Sequence, residues 1–283
     1  MLYFRVFNQR HRGNMKDIRD DIFNQIKDKK IDAFIVTNGE GVIAGTDKAG
    51  REAGRLGLAV KKLIAEGSLV KPGDIIGHFE GHAKQIVMGE DYLVGCIGKP
   101  SGVATAAHKF VKAAGDRLKI VSGGWKKMPF EIKEPLRNAV LVGGAYIRIA
   151  DEPFIYLDKN YIAAFGGIEA CMEAVAHLKN HLKVVQLKGK YKDIGEEAFE
   201  AATLGADILF IDTGNMDDLN KVSAKMRRAG RRTKIEIAFG GDIRLENIEK
   251  LKSTKVDILD VGRAIIDAPL LDLRYGVKGG ETG

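Results

Sequence analysis

Two glycine-bearing turns near the end of the chain constrain its fold most strongly. A β-rich run from Ile235 ends in Gly240 and Gly241, and a second apolar run ends just before Gly262 and Arg263. Glycine lets backbone N–H groups approach an anion closely, and a helix that follows directs its positive end to the same place. In a (β/α)8 barrel, turns of this kind follow the last two strands and bind phosphate. The alternative is a pair of ordinary tight strand-to-helix turns.

From residue 99 onward the chain has the pattern of parallel α/β construction, because short apolar segments alternate with amphipathic helices. The predicted strands are KIVSG, AVLVGG, PFIYLD, LKVVQLK, DILFID, KIEIAFGG and DILDVG. An open nucleotide-binding sheet would have GxGxxG after its first strand, and that motif does not occur there. A barrel is therefore favoured over an open sheet.

The first 98 residues differ from this pattern. Residues 32–45 are predicted to form two strands around an Asn-Gly turn, residues 51–66 have apolar side chains at helical spacing, and IIGHFEG is a further strand. This mixture is typical of an α+β domain. We therefore predict an N-terminal α+β domain over residues 1–98, an α/β barrel over residues 99–277 and a flexible tail over residues 278–283.

The charge balance limits the partners. Lys and Arg number 45 against 38 Asp and Glu, which gives a net charge of +7. Such a surplus suits nucleic acid, or a small substrate that carries several phosphates and carboxylates. The densest basic cluster, residues 227–232, falls at a predicted helix end, where cations are favourable. We expect small-molecule substrates, no nucleic acid, no membrane segment and a place of action in the cytoplasm.

Side chains at the ends of the predicted strands are the candidates for chemistry, because functional groups of barrels gather there. Lys126 and Lys127 follow two glycines and are suited to neutralise phosphate, or are a solvated surface pair. Asp212 is suited to hold magnesium or a ribose hydroxyl, or to cap the next helix. The other predicted substrate-binding residues are Trp125, Arg148, Lys159, Asn160, Gln186 and Lys188.

Several segments together resemble quinolinate phosphoribosyltransferase, the nicotinate-nucleotide pyrophosphorylase family of pyridine nucleotide synthesis. They are Gly41 to Gly45 with the following helix, KPGDIIGHFEG, SGVAT, Lys126 with Pro129, LVGGA, Asn160 with Ile162 and Ala163, LGADILFIDTGNMDDL, FGGDIRLENI and VDILDVGRAIIDAPLLDL. The resemblance covers nearly the whole chain. It implies an open α/β barrel of the type II phosphoribosyltransferase kind, with an N-terminal α+β domain. It also implies Mg²⁺, 5-phosphoribosyl-1-diphosphate as the ribose donor, and a homodimer or higher even oligomer in which the partner's N-terminal domain covers each barrel mouth.

The chain departs from the family pattern in the pocket for an acidic acceptor. It has Glu90-Asp91 where the family has Glu-Arg, and Trp125 where the family has Arg. The family's Lys-Asp-Asn-His run is Asp-Lys-Asn-Tyr at residues 158–161, Arg148 alone lies near the position of a His-Arg pair, and Phe239 replaces a Ser. Quinolinate is a dicarboxylate, and each buried carboxylate without a partner costs a few kcal/mol. These departures therefore favour a different acceptor.

The resulting hypothesis is an enzyme of the phosphoribosyltransferase type that kept the donor site and changed the acceptor. In this hypothesis Lys126 and magnesium stabilise the leaving diphosphate, Asp212 holds ribose or metal, and Trp125 offers a stacking face to a neutral or singly charged aromatic. The 5′-phosphate is bound by Gly240, Gly241, Gly262 and Arg263.

Two alternatives remain open from the sequence. The first is an authentic quinolinate phosphoribosyltransferase of NAD biosynthesis, in which Lys127, Arg148 and Lys159 replace the lost charges. The second is a non-catalytic homologue that binds a phosphosugar or nucleotide, which the Phe239 replacement favours.

Overall fold

The computed structural model describes residues 17–277 of the chain. Its elements in chain order are α1 (Ile18–Ile22), β1 (Lys30–Thr37), β2 (Gly41–Val42), α2 (Thr46–Arg55), β3 (Ala59–Leu63), β4 (Leu69–Val70), β5 (Ile75–His82), α3 (Ala83–Gly89), α4 (Gly95–Ala114), β6 (Lys119–Val121), α5 (Phe130–Val142), β7 (Phe154–Leu157), α6 (Lys159–Phe165), α7 (Ile168–Ala174), β8 (Leu182–Leu187), α8 (Ile194–Thr203), β9 (Ile208–Asp212), α9 (Met216–Arg228), β10 (Glu236–Gly240), α10 (Ile248–Lys252), β11 (Ile258–Asp260), α11 (Arg263–Ile266) and β12 (Leu273–Val277). The predicted tail at residues 278–283 lies outside the described residues.

An antiparallel sheet with the strand order β12-β1-β5-β3 forms the N-terminal part. Alternate side chains of its central strands, among them Ile35, Ile76 and Phe79, are buried. They share a core with Ala49 of α2 and Ile86 of α3, because the alternation of a strand presents one apolar face to the helices. The predicted α+β domain is confirmed.

Two local predictions in this domain are wrong. The segments on either side of the Asn-Gly turn do not pair with each other, since β1 pairs with β5 and β12 while β2 pairs with β4. Strand β12 takes the edge of β1 that a hairpin partner would have used. The helix predicted over residues 51–66 ends at Arg55, where Gly57 follows with φ of 79°, and residues 59–63 form β3.

Six parallel strands form the second sheet, in the order β6-β11-β10-β9-β8-β7. A parallel bridge between Val121 and Tyr146 adds a short segment beside β6. Within residues 17–277 no ladder joins that segment to β7. The predicted open α/β barrel is confirmed, together with six of its seven predicted strands.

The strand predicted at AVLVGG is wrong, because Ala139 to Val142 form the last turn of α5. A short apolar run fits a buried helix as well as a buried strand. Here the helix is favoured by close packing against α4, since a Cβ added at Gly143 would lie 2.4 Å from the Ala104 carbonyl oxygen.

Barrel side chains alternate between two apolar cores. Inward-facing residues such as Val184, Phe210 and Ile258 form a small core inside the barrel. Their neighbours, such as Val185 and Ile211, belong to a large core between the strands and the surrounding helices. Successive residues of a strand face opposite sides of the sheet. The residue two positions after each inward-facing residue, toward the carboxyl end of the strand, therefore also faces inward and reaches the barrel mouth.

Two elements connect the predicted domains. The predicted boundary between residues 98 and 99 lies inside α4. Strand β12, in the predicted barrel domain, pairs with β1, from Ala33 opposite Val277 to Thr37 opposite Leu273.

None of the helices within residues 17–277 combines the length and the apolar composition that a bilayer crossing requires.

Candidate active site

A ring of residues at the carboxyl ends of the six parallel strands forms the floor of the barrel mouth. Each lies two positions after an inward-facing residue, and the ring consists of Gly123, Asp158, Gln186, Asp212, Gly240 and Asp260. All of them except Gly240 line a cavity of about 630 Å³, which we call the mouth cavity. Its floor therefore carries three carboxyl groups and one amide in a single layer.

Asp212 ends β9 and is held by one side chain from the neighbouring strand β8 and one from the loop after it. Its Oδ2 accepts a hydrogen bond from Gln186 Nε2 at 2.6 Å and lies 2.9 Å from Lys188 Nζ. Gln186 Oε1 in turn accepts a hydrogen bond from the backbone N–H of Lys159 at 2.7 Å. Asn215, rather than Asp212, caps α9. The capping alternative is therefore excluded, and the Asp212 carboxylate is fixed in the mouth.

The loop that carries Lys188 is held by a buried carboxylate. Glu197, 3% exposed, accepts hydrogen bonds from four consecutive backbone N–H groups, those of residues 188–191, at 2.8–3.2 Å. Hydrogen bonds to an ionised acceptor are stronger than neutral ones. Glu197 therefore fixes the β8–α8 loop and, through it, the ammonium group beside Asp212.

Asp260 ends β11, and Gly240 of β10 separates it from Asp212. Neighbouring strands are about 4.8 Å apart, which places the Cα atoms of the two aspartates about 10 Å apart. Oδ1 of Asp260 accepts a hydrogen bond from the Gly123 N–H at 3.0 Å. Among residues 17–277 no donor hydrogen-bonds to its Oδ2.

Burial raises the pKa of the Asp260 carboxyl group, and the negative charge of Asp212 acts in the same direction. The hydrogen bond from Gly123 and the charges of Lys126 and Lys127 oppose these effects. Asp260 is therefore a carboxyl group that takes up a proton more readily than an exposed aspartate does.

The two lysines of the helical turn Gly124–Lys127 stand above the floor. Both side chains are exposed, and both residues line the mouth cavity. Lys126 Nζ lies 5.1 Å from the centroid of the Tyr156 ring, within cation–π range. Burial and the neighbouring carboxylates raise the pKa of the Tyr156 hydroxyl, which stays neutral at physiological pH.

Both predicted glycine turns reach the mouth cavity, which Gly241, Gly262 and Arg263 line. Gly241 has φ of 106°, and a Cβ there would lie 2.5 Å from the Gly214 backbone nitrogen. Glycine is therefore required at this close approach of two strand ends. Gly240 lies just below, in the floor ring.

A second cavity of about 380 Å³ adjoins the mouth cavity and holds two of the predicted residues, Trp125 and Arg148. The Cζ atom of Arg137 lies 4.8 Å from the centroid of the Trp125 ring system, and the Cζ atom of Arg148 lies 5.1 Å from that of Phe154. The residues that line both cavities are Gly123, Lys126, Tyr156, Phe210 and Asp260.

A third cavity of about 470 Å³ lies between helix α6 and the β8–α8 loop. Asn160 and Lys188 line this cavity rather than the mouth, and Lys159 and Gln186 line both. The predicted residues that the structure brings together in the mouth cavity are Lys126, Lys127, Lys159, Gln186, Asp212, Gly241, Gly262 and Arg263.

Phe239 does not take part in the glycine turn. It is 1% exposed and packs in the core between the strands and the helices, because it faces outward while Gly240 faces inward. The replacement of Ser by Phe therefore leaves the mouth cavity unchanged, and it does not support a loss of phosphate binding.

Lys188 and Gln186 both contact Oδ2 of Asp212, which leaves its Oδ1 as the oxygen that could hold magnesium or a ribose hydroxyl. Within the described part of the chain, no group of three or more His, Cys, Asp and Glu side chains is arranged to hold a metal ion.

Sequence reasoning missed Asp260 and Arg137. Asp260 lies inside the predicted strand DILDVG, two residues after the inward-facing Ile258, so the two-residue period of a strand was the signal that could have identified it. Arg137 lies in α5, and it faces the site only because a helix occupies a region that was predicted to contain a strand.

Comparison with known proteins agrees with this architecture. Residues 7–101 match the family described as quinolinate phosphoribosyl transferase, N-terminal domain, and residues 103–275 match its C-terminal domain. A relative from Archaeoglobus fulgidus, named a probable carboxylating nicotinate-nucleotide pyrophosphorylase, is 29% identical over 255 residues, covering 89% of this chain and 96% of the relative. The nicotinate-nucleotide pyrophosphorylase of Rattus norvegicus is 27% identical over 251 residues, 85% and 79% of the two chains.

The solved structure of the nicotinate-nucleotide pyrophosphorylase from Pyrococcus furiosus has the same fold, with a TM-score of 0.79 at 22% identity over 99% of this chain and 79% of that one. Human nicotinic acid phosphoribosyltransferase gives a TM-score of 0.69 at 13% identity over 95% and 76%. The fold, the order of the two domains and the extent of the family match show that this chain belongs to the quinolinate phosphoribosyl transferase family.

Proposed function

We propose that this enzyme transfers the phosphoribosyl group of 5-phosphoribosyl-1-diphosphate to a ring nitrogen of an aromatic acceptor other than quinolinate. The observation that carries this proposal is the division of charge in the mouth cavity. Lysine and arginine side chains and glycine turns line the cavity above its floor, together with Asp242, whereas three carboxyl groups form the floor.

The rim supports binding of the donor. Lys126 and Lys127 are exposed, and the turn that carries them lies beside Gly262, since β6 pairs with β11 and a Cβ added at Gly124 would lie 3.1 Å from the Gly262 carbonyl oxygen. Gly241 and Arg263 line the same cavity. Ammonium and guanidinium groups stabilise phosphate oxygens, and backbone N–H groups at glycine turns do the same. The cavity of about 630 Å³ falls in the range of small-molecule sites, and catalysis there rests on positioning and on stabilisation of the leaving diphosphate.

The floor supports the change of acceptor. Asp158, Asp212 and Asp260 occupy one layer. Lys188 pairs with Asp212, and Asp158 Oδ1 accepts hydrogen bonds from the backbone N–H groups of Asn160 and Tyr161, whereas no cation pairs with Asp158 or Asp260 among the described residues. A dicarboxylate that enters beside the donor would approach Asp260, where the mouth cavity meets the second cavity, and like charges repel strongly where water is excluded. An acceptor with at most one carboxylate avoids this repulsion.

Authentic quinolinate phosphoribosyl transfer is the second candidate. It is favoured by the names of the relatives and by Arg137 and Arg148, both of which line the second cavity. These arginines provide two cations in place of those that the sequence lacks elsewhere.

Calorimetric titration separates the candidates. The chain is titrated with 5-phosphoribosyl-1-diphosphate and magnesium, and then with quinolinate in the same cell. We expect donor binding that Lys126→Ala weakens and that the exposed control Lys250→Ala leaves unchanged, followed by no response to quinolinate. Saturable quinolinate binding with release of diphosphate would establish the second candidate instead. Donor binding without turnover on any aromatic base would indicate a binding protein.

Magnesium remains a prediction, and we assign it to the diphosphate of the donor. Repeating the donor titration without magnesium tests this assignment. The cytoplasm likewise remains the expected place of action.

The shared-site dimer also remains a prediction. Light scattering distinguishes a stable monomer of 30.9 kDa from an even oligomer, and a monomer that retains full donor binding would remove the shared-site arrangement.

A further inference from the structure

The geometry points to an acceptor that is a heteroaromatic ring with an N–H group, and to Asp260 as the base that takes the proton from that nitrogen. This inference rests on the proposed function and adds to it the chemical class of the acceptor and one catalytic residue.

Asp260 lies where the two cavities meet. It lines the mouth cavity, where the donor phosphates would bind, and also the second cavity, whose wall is aromatic. A ring bound in the second cavity and a ribose bound in the mouth cavity would meet at the residues common to both. Asp260 and Lys126 carry the ionisable groups of opposite sign at that junction.

One oxygen of Asp260 is available for a ligand. Oδ1 is fixed by the Gly123 N–H at 3.0 Å, and Oδ2 has no hydrogen-bonding donor within residues 17–277. The hydrogen bond orients the carboxyl group, so that Oδ2 is held in place before a ligand arrives. A base within hydrogen-bond reach of the reacting nitrogen is the geometric requirement for proton transfer.

The second cavity fits the rest of such an acceptor. Its wall includes Trp125, Tyr156 and Phe210, which suit a flat ring of one cycle in about 380 Å³. Two buried donors on its wall, Trp125 Nε1 and Arg137 Nε, have no hydrogen-bonding partner among the described residues. With Arg148 beside them, these groups favour an acceptor whose ring carries a carboxylate or a carbonyl group, and repulsion from Asp260 favours one carboxylate over two.

The chemistry explains why a base belongs at this position. When an N–H nitrogen attacks C1 of the ribose, the N–C1 bond forms and the C1–O bond breaks, with its electron pair leaving on the diphosphate. The N–H proton passes to Asp260 Oδ2, and the ring product is a neutral N-riboside. A pyridine nitrogen has no proton to lose, so its product is a pyridinium cation and no base is needed.

The test measures diphosphate release with two classes of acceptor that each carry one carboxylate. Imidazole-4-carboxylate and pyrazole-4-carboxylate have an N–H, whereas nicotinate does not. We expect turnover with at least one azole and a fall of about 10²- to 10⁴-fold in its kcat/KM in Asp260→Asn. The Kd of the donor should stay within twofold, and Glu249→Gln, an exposed control of the same charge change, should behave as the wild type.

The pH profile gives an independent readout. In the wild type, kcat/KM for pyrazole-4-carboxylate, whose ring takes up a proton only in strong acid, should fall at low pH as Asp260 takes up a proton. The groups that face Asp260 and shift this limb are Asp212, Lys126, Lys127 and Tyr156. Asp260→Asn should lack the limb. If that variant does not fold, Asp260→Ser removes the carboxyl group with a smaller side chain and should likewise lack the limb.

Three results would overturn the inference. They are turnover with nicotinate but not with either azole, equal losses for both acceptor classes in Asp260→Asn, and donor binding without turnover on any azole. The second of these would show that Asp260 acts as a counter-ion for a charged ring. Absence of donor binding in the wild type would instead remove the proposed function itself.

Discussion

At the scale of single residues, the Asp260 carboxylate lowers the stability of the folded protein at neutral pH. Burial raises the pKa of this carboxyl group above its value in the unfolded chain. The folded chain therefore binds the proton more tightly, and ionisation costs free energy of folding at every pH above the folded pKa. Below the unfolded pKa, where the group is protonated in both states, the cost disappears.

We therefore expect Asp260→Asn to stabilise the protein at pH 7. The amide oxygen still accepts the hydrogen bond from Gly123, and the charge is removed. A gain of about 1 kcal/mol corresponds to a rise of roughly 2–4 °C in Tm for a chain of this size. Thermal unfolding monitored by circular dichroism at pH 7 and at pH 3.5 measures the gain, which should shrink at the lower pH. A variant that is less stable than the wild type at pH 7 would contradict this prediction.

Lys188 affects the charge of the floor more than the stability of the fold. The Lys188–Asp212 ion pair is about one-third exposed on both sides, so its loss should change the free energy of unfolding by less than about 1 kcal/mol. In Lys188→Met, however, the uncompensated Asp212 would repel the donor's phosphates. Calorimetry should show donor affinity falling about tenfold at low salt and less at high salt.

Lys190→Met is the matched control for this experiment. Lys190 lies in the same loop, and its Nζ stacks over Tyr191 at 5.6 Å rather than contacting Asp212. Equal effects of the two variants on donor affinity would show that general loop charge, rather than the pair with Asp212, is responsible.

Residues of the candidate site were predictable from the sequence where a charged side chain follows or ends an apolar strand. Asp212 and Lys126 follow obvious apolar runs, and both lie in the mouth cavity. Asp260 was not among the predicted site residues, because its segment was interpreted only through Gly262, two residues later, as a phosphate-binding turn. The orientation of Trp125 was not predictable, since it depends on Arg137, a residue of a helix that the pattern did not reveal.

At the scale of elements, the β8–α8 loop depends on one side chain. Glu197→Gln keeps one accepting oxygen and replaces the other with an NH₂ group that faces backbone N–H donors. We expect a loss of roughly 2–4 kcal/mol in urea unfolding, because buried donors lose an ionised acceptor. Amide hydrogen exchange at residues 188–191 should accelerate before the rest of the barrel opens.

Glu196→Gln is the control for this variant. Glu196 precedes Glu197 in α8, but its carboxylate is exposed and pairs with Lys225 at 2.5 Å. Its loss should change stability by less than about 0.5 kcal/mol. If exchange at residues 188–191 is equally fast in both variants, the loop is held by something other than the Glu197 carboxylate.

Helices and strands were predictable where the length of an apolar segment and the spacing of its apolar residues indicated the same element. The strands ending at Asp212 and Gly240 follow from continuous apolar runs between turn residues. Ala139 to Val142 have the same composition but continue a helix that begins at Phe130, and only its packing against α4 distinguishes the two outcomes. Tertiary contacts of this kind are not present in a local pattern.

At the scale of the whole molecule, β12 joins the end of the described chain to its beginning. It supplies β1 with an edge partner, and the Tyr275 hydroxyl donates a hydrogen bond to the Ile86 carbonyl at 2.7 Å. We expect a chain that ends at Asp272 to lose exchange protection in β1, while the barrel strands retain theirs. Hydrogen exchange measured by mass spectrometry, with a chain ending at Val277 as the reference, tests this. Equal protection of β1 in both chains would contradict it.

The overall architecture was largely predictable, because the barrel and the α+β domain each leave a repeated pattern. The pairing of β12 with β1 was not. Leu273 to Val277 form one short, partly exposed strand after the last barrel helix, and nothing local indicates which distant edge it will join.

This pairing also sets an order of events during synthesis. Thr37 and Asp272 are separated by 235 residues, and a ribosome adds about 5–20 residues per second, so β1 is made roughly 12–47 s before its partner. Throughout that interval one edge of the newly made sheet lacks its neighbour, and an unpaired edge invites association with other chains. The N-terminal sheet is therefore completed only after the barrel has been translated, and it has most to gain from a chaperone that covers its open edge while translation continues.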